Sequence, residues 1–233
     1  MNPEICSMKV VFIVTTKNLL SYLSLIAFCC SIISCAVSNN PLRKETKLLQ
    51  RGVIKEDTSY VYMLPFKDKK KHLLVQGYFG VWSHKERAAL DFKMKRGTPI
   101  LAARDGVVVR VKEDGIKGGW NKKYASQGNN IVIQHSDGFR SGYWHLKKDG
   151  ALVNVGDTVK QGQVIGLSGK TGYASMPHLH FIVWRNSGGN WQQIPTRFQT
   201  SKGIRYLKPW KWYRNRRKIN ITTSSSDQTA AKQ

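Results

Sequence analysis

Past residue 36 the chain has no cysteine; Cys6, Cys29, Cys30 and Cys35 all precede that point. This excludes a disulfide framework and thiolate ligands from the body of the protein. A metal there has to be held by His, Asp or Glu. Acid is also scarce, with 14 Asp and Glu against 38 Lys and Arg in 233 residues, a formal charge of +24. Such a surface is drawn to polyanions: nucleic acid, anionic lipid headgroups or anionic wall polymers. Charge of either sign is missing between Lys17 and Arg43. Apolar residues still make up 41%, enough for one domain of moderate size with a buried core.

The uncharged stretch "NLLSYLSLIAFCCSIISCA" follows Lys9 and Lys17. Its length suits a long signal-peptide core and is short for a full membrane span. It ends in "IISC", with Cys35 after the small Ser34, and resembles the lipobox of bacterial lipoproteins, whose cysteine is acylated and becomes the first residue. Ile32 stands where such boxes more often carry leucine. Cleavage by ordinary signal peptidase after Ala36 and retention as an uncleaved anchor are the other two readings, and translation from Met8 would give a shorter basic start. All of them place the protein in the cell envelope, facing the periplasm or cell wall. Export argues against nucleic acid and leaves anionic envelope polymers or lipid headgroups as the partners of the positive charge.

Residues 1–36 therefore read as a leader. Residues 37–57 are polar and aperiodic and read as a tether. From Tyr60 the pattern becomes short apolar runs broken by glycine: "ALDF", "TPILAA", "GVVVRVKED", "NNIVIQH", "GYWHL", "QVIGLSG" and "HLHFIVW" each suit a strand. "RDG" at 104–106 and "SDG" at 136–138 are hairpin turn signals. No helical period is visible from Ala88 to Trp184. The expectation is a mainly β domain over 58–204, compact and antiparallel, with long loops. Residues 205–233 begin with "RYLKPWKWYRNRRK", which has no acid, and end in a polar tail expected to be disordered. The basic aromatic part reads as domain surface followed by a solvated charge run; the alternative is an arm that contacts anions or glycans.

Five of the six histidines fall between Ser83 and Trp184: His84, His135, His145, His178 and His180. In an extended strand residues i and i+2 share a face, so His178 and His180 project together while Leu179, Phe181 and Val183 point the other way. Asp91 lies between Leu90 and Phe92, where its charge needs compensation. A divalent cation would supply it. His84, Asp91 and one histidine of "HLH" form the ligand set of a catalytic zinc, with an open position for a water whose pKa falls toward ~7. His145 and the other histidine of the pair are then free to handle protons.

Three stretches, "SHKERAALDFKMKRGTPILAARDGVVV", "GNNIVIQHSDGFRSGYWHL" and "VNVGDTVKQGQVIGLSGKTGYASMPHLHF", resemble the lysostaphin-like (LytM-type) zinc metallopeptidases of peptidoglycan. The likeness covers roughly residues 75–186, and its motifs occur together and in order. It implies His84, Asp91 and His180 as ligands of Zn2+, and His145 and His178 as the non-ligand active-site histidines. It implies a zinc endopeptidase that cuts peptide cross-links in peptidoglycan. One departure stands out: seven residues separate His84 from Asp91 where many members have four, so "KERAA" has to bulge.

No H-E-x-x-H motif supplies a glutamate base. Glu86 and Glu113 sit in charged stretches, and the proton work falls to His145 and His178. His135 is expected to support a turn and His72 to lie at the surface. The run "VNVGDTVKQGQVIGLSG" also resembles biotinyl or lipoyl carrier domains, but Lys160 and Lys170 lack the context of a modified lysine. A non-catalytic wall-binding regulator of another hydrolase is the alternative function; known members of that kind lack ligands that are all retained here. A gate over the cleft, from a regulatory envelope protein or from residues 57–74, is a further option.

Overall fold

The computed structural model describes residues 38, 40–55, 59–67 and 69–215. The leader, with the expected lipidation site Cys35, lies outside them, as do residues 216–233. Strands dominate, as expected. A nine-stranded antiparallel sheet runs in the order Thr158–Val159, Gly106–Lys112, Asn130–Gln134, Arg140–Trp144, His178–Ser187, Ala89–Lys93, His72–Gln76, Lys211–Tyr213, and Asn190–Gln193 folds back on His178–Ser187. Two three-stranded sheets and a short pair complete the domain; Val61–Met63 with Arg197–Thr200 and Gly118–Gly119 with Gly172–Tyr173 are its parallel pairings.

Alternation sorts each central strand into two faces. Leu90, Phe92, Leu179, Phe181 and Val183 are buried in one core with Leu74, Ile131, Ile133 and Tyr143. Burying each such side chain contributes roughly 1.5–3 kcal/mol. The opposite face carries a transverse row in which Gln76 pairs with Asp91, Asp91 with His180, His180 with Trp144 and Trp144 with Asn130. A bulge between Leu74 and Gln76, opposite Phe92 and Asp91, puts Gln76 rather than Val75 beside the aspartate. Gly142 makes room on this face, because a Cβ there would meet the Trp144 ring at 2.0 Å. The indole lies across that gap, 5.8 Å from Trp184.

Two boundaries differ from the sequence reading. The tether contains helix α1, Leu42–Arg51, closed by Gly52 at φ 74 with its N–H on the Leu48 and Leu49 carbonyls. Leu42, Thr46 and Leu49 form a sparse i, i+4, i+7 stripe that the surrounding Lys and Arg obscure, and Leu42 and Leu49 pack against the core. The cut at residue 204 falls inside the strand Gly203–Tyr206, which pairs with Arg197–Thr200. The basic aromatic segment continues into Lys211–Tyr213, zipped to His72–Gln76, with Leu207 and Tyr213 buried. Its alternation is too short to separate strand from charge run in the sequence. Residues 61–63 and 72–74, within the segment considered as a gate, are themselves paired strands.

Candidate metal centre

His180 projects from the middle of the His178–Ser187 strand, directly across from Asp91, so both side chains rise from one face. His84 reaches them from the loop before the Ala89–Lys93 strand. The seven-residue spacing is absorbed there by a turn closed by the Arg87 N–H on the His84 carbonyl at 2.9 Å, and the Phe79 N–H holds the Arg87 carbonyl at the same distance. The "KERAA" segment does bulge. It leaves His84 fully buried beside the aspartate.

Three side chains then face one another. His84 Nε2 lies 3.1 Å from His180 Nδ1, His180 Nδ1 lies 2.8 Å from Asp91 Oδ1, and Asp91 Oδ2 lies 3.2 Å from His84 Nε2. Around a tetrahedral ion with bonds of 2.0–2.2 Å, ligand atoms sit ~3.3 Å apart. These approaches are close to that spacing, and one ligand atom from each of the three side chains lies within 4.8 Å of the other two. Among the described residues this is the cluster of His, Asp or Glu donors able to hold a metal. The His84 Nδ1 donates to the Gly77 carbonyl at 3.2 Å, which turns Nε2 to the cluster.

Gln76 braces this arrangement and was not singled out in the sequence. Its Nε2 donates to Asp91 Oδ2 at 3.1 Å and to Ser83 Oγ at 2.8 Å, and its Oε1 accepts the Trp82 and Ser83 N–H groups at 3.2 Å each. One amide thus ties the carboxylate to the loop that carries His84. A polar residue closing the apolar run "HLLVQ" was the available signal.

His145 and His178 sit beside the cluster with ring centroids 4.6 Å apart. His145 follows the Arg140–Trp144 strand in the left-handed region at φ 66, an uncommon conformation for a non-glycine residue. Its Nδ1 lies 2.7 Å from the Thr171 carbonyl, and the His178 Nδ1 lies 2.8 Å from the Met176 carbonyl. A carbonyl only accepts, so both Nδ1 atoms donate these bonds. The His178 Nε2 is 3.7 Å from Asp91 Oδ1. Thr171 also fixes this corner through its hydroxyl, which donates to the Leu146 carbonyl at 2.7 Å and accepts the Asn129 N–H at 3.0 Å. Gly172, at φ 81, lets its backbone approach Gly128 where a Cβ would come within 2.6 Å.

Burial sets the charge states. It pushes His145 down to about 3, helped by the nearby His178 and His180, and His180 down to about 4 against the pull of Asp91. Burial would raise the Asp91 carboxyl, but the adjoining His84 and the hydrogen bonds from His180 and His84 outweigh it and hold the group well below the usual carboxylate range. An ionised carboxylate with neutral imidazoles is the state in which these groups bind a cation.

The cluster opens into a cleft of about 780 Å³ whose walls include Trp82, Trp120, Trp144, Tyr173 and Arg87. Asp91 is the acid among its lining residues; Glu86 and Glu113 are not there. His135 and His72 stand apart. The His135 Nδ1 donates to the Asp105 carbonyl at 2.7 Å and its backbone closes the 135–139 turn, while the His72 Nδ1 lies 3.0 Å from the Lys93 carbonyl at the sheet edge.

The family description "Peptidase family M23" matches residues 85–192, a span that holds Asp91, His145, His178 and His180 and begins just after His84. Glycyl-glycine endopeptidase ALE-1 of Staphylococcus capitis is 44% identical over 116 residues, 49% of this chain and 29% of its own length. Peptidoglycan DD-endopeptidase ShyA of Vibrio cholerae is 45% identical over 91 residues, 39% of this chain and 18% of its own. The solved catalytic domain of lysostaphin from Staphylococcus simulans is 36% identical, covering 53% of this chain and 87% of that one, with a TM-score of 0.39. The chain spans less than a third of the length of these curated relatives. Residues 85–192, which hold Asp91, His145, His178 and His180, thus form a domain of peptidase family M23.

Proposed function

We propose that this protein is a zinc-dependent endopeptidase that hydrolyses peptide cross-links in bacterial peptidoglycan. The observation that carries the reading is the convergence of His84 Nε2, His180 Nδ1 and the two Asp91 oxygens, with contacts of 2.8–3.2 Å, beside a cleft that also holds two carbonyl-oriented histidines. His84, Asp91 and His180 hold Zn2+, which when bound supplies a Lewis acid for the scissile carbonyl and its water. Two neutral imidazoles and one carboxylate suit that ion and leave a net positive centre for an oxyanion.

The remaining chemistry belongs to the chain's own side chains. His178, with Nε2 3.7 Å from the Asp91 carboxylate, is the group in reach of a nucleophile held at the cluster, and it takes the proton. His145, whose ring lies tilted at 49° against that of His178, is kept neutral by burial and is oriented by the Thr171 carbonyl. The two rings exchange the proton and deliver it to the leaving amine. The indoles of Trp144 and Trp82 exclude water from one side of the cleft.

The leader assigns the site of action: residues 1–36 direct export, and acylation of Cys35 anchors the protein in the envelope. The +24 charge then holds it against anionic wall polymers or lipid headgroups. Zinc analysis of the purified full chain and mass analysis of the fragments it releases from peptidoglycan test the reading together. Stoichiometric zinc and cross-link cleavage, both lost in His180→Ala, are expected. A metal-free protein that sediments with walls yet releases no fragment would leave the regulator role instead.

A further inference from the structure

The cleft continues beyond the histidines. Trp82 lines it and also lines a second groove of about 270 Å³, which passes over Gln76 and Gly77 to helix α1 and Trp210. Trp82 and Trp210 form one wall, with centroids 5.7 Å apart, rings near perpendicular at 82°, and each residue 61% exposed. Exposed indoles paired at the mouth of a cleft mark a contact surface for something apolar or planar.

The facing wall is basic. Arg43 and Lys47 stand one turn apart on α1 and line the groove, which has no carboxylate among its lining residues. Neither makes an ion pair with a described residue. Like charges at i, i+4 weaken a helix, so the pair is not there for the helix. Lys47 is lowered by burial and by the charges of Arg43 and Arg51, as befits cations gathered without a counter-ion.

The fold also maintains this wall at a conformational cost. Trp210 sits at φ 61, a rare conformation for a bulky residue, and its N–H is held by the Leu74 carbonyl at 2.7 Å. The Gln50 amide donates to the Leu207 carbonyl at 2.5 Å and ties α1 to the segment that presents Trp210. Arg43, Lys47 and Trp210 all lie outside the span matched by the family.

We infer that this groove is a second subsite, which takes a carboxylate-bearing peptide stem of peptidoglycan running on from the bond held at the metal cluster. The inference rests on the peptidoglycan reading above. These two cations, which have no ion-pair partner among the described residues, select a stem with free carboxylates over a neutral glycan, and the indoles cover its aliphatic parts.

The test uses the full chain treated with chelator, so that binding is read without cleavage. A synthetic stem pentapeptide (L-Ala, D-Glu, L-Lys, D-Ala, D-Ala) is titrated by calorimetry, with a neutral N-acetylglucosamine tetramer as the counter-probe. The pentapeptide is expected to bind saturably and to weaken with added salt. R43E/K47E should raise its Kd at least about tenfold, and R43Q/K47Q should raise it less. Trp210→Ala should weaken it and Trp210→Phe restore it in part. Lys148→Glu, which lines neither groove, should bind as the parent does. Absence of saturable binding, an unchanged Kd in R43E/K47E, or preferential binding of the amino-sugar tetramer would each overturn the assignment. Failure of the parent to cut peptidoglycan would instead count against the function proposed above, since this titration needs no turnover.

Discussion

The two faces of the His178–Ser187 strand make opposite demands on neighbouring residues. Leu179, Phe181 and Val183 point into the core and are almost wholly buried; His178 and His180, interleaved with them, point at the metal cluster and are buried nearly as deeply. On the core face burial itself stabilises. On the cleft face burial works against stability, because it desolvates imidazoles and a carboxylate, and only mutual contacts or a cation compensate. A two-residue period lets one strand serve both purposes.

The largest expected break in this symmetry is His180→Ala. It removes one of the three proposed ligands, and on that reading loss of several kcal/mol of transition-state stabilisation corresponds to a fall of roughly a thousandfold or more in peptidoglycan cleavage. Its far-UV circular dichroism and the Tm of its metal-free form should stay close to those of the metal-free parent. Phe181→Ala, the next residue along, should do the reverse. It vacates the core between Tyr62, Tyr143 and Phe198, whose rings lie 5.3–6.4 Å from its own. Stability should fall by about 3–5 kcal/mol in denaturant titrations, while zinc bound per folded molecule stays at parent level. If the two substitutions damaged stability and metal binding alike, the division of faces would be wrong.

A second comparison sharpens the first. His145 and His135 both donate Nδ1 to a backbone carbonyl, yet the Nε2 of His135 is buried without a partner against Tyr62. Burial pushes His135 down to about 4, from an ordinary 6.5. Its folded pKa is depressed, so the unfolded chain binds the extra proton first. The contribution is whole above pH 6.5 and is lost as pH falls through 4. That gap is worth on the order of 3 kcal/mol. His135→Gln should therefore flatten the fall in Tm between pH 6.5 and 4 relative to the parent. An unaltered slope would show that His135 is not the titrating group.

Much of this was legible because the decisive signals are local. Alternation in "ALDF" and "HLHFIVW" exposes the faces directly, and the glycine-broken runs indicate short antiparallel strands. Asp91 was conspicuous as a charge in an apolar strand. What stayed hidden depends on long-range pairing. Helix α1 has only a sparse stripe, and its placement depends on packing against a core built from later residues. Lys211–Tyr213 looks like a charge run until the edge of His72–Gln76 is there to receive it. Gln76 is the clearest case: a polar residue closes "HLLVQ", but the bulge that sets it beside Asp91 exists only once the strand pairs with Ala89–Lys93.

That residue yields the smallest and most discriminating effect. The long spacing between His84 and Asp91 frees the histidine loop from the aspartate strand, and the Gln76 amide rejoins them through four hydrogen bonds, to Asp91, to Ser83 Oγ and from two backbone N–H groups. Partners of this kind typically govern metal affinity by 10–100-fold. Gln76→Ala should weaken zinc binding within that range in competition with a chromogenic chelator, and cleavage at saturating zinc should recover most of its rate. Gln76→Glu should be worse than alanine at neutral pH, because a second carboxylate beside Asp91 repels it and accepts where the amide donates. Equal zinc affinity in parent and Gln76→Ala would mean that the loop holds His84 in place by its own turn. The Arg87-to-His84 hydrogen bond would then suffice to bridge the seven-residue gap.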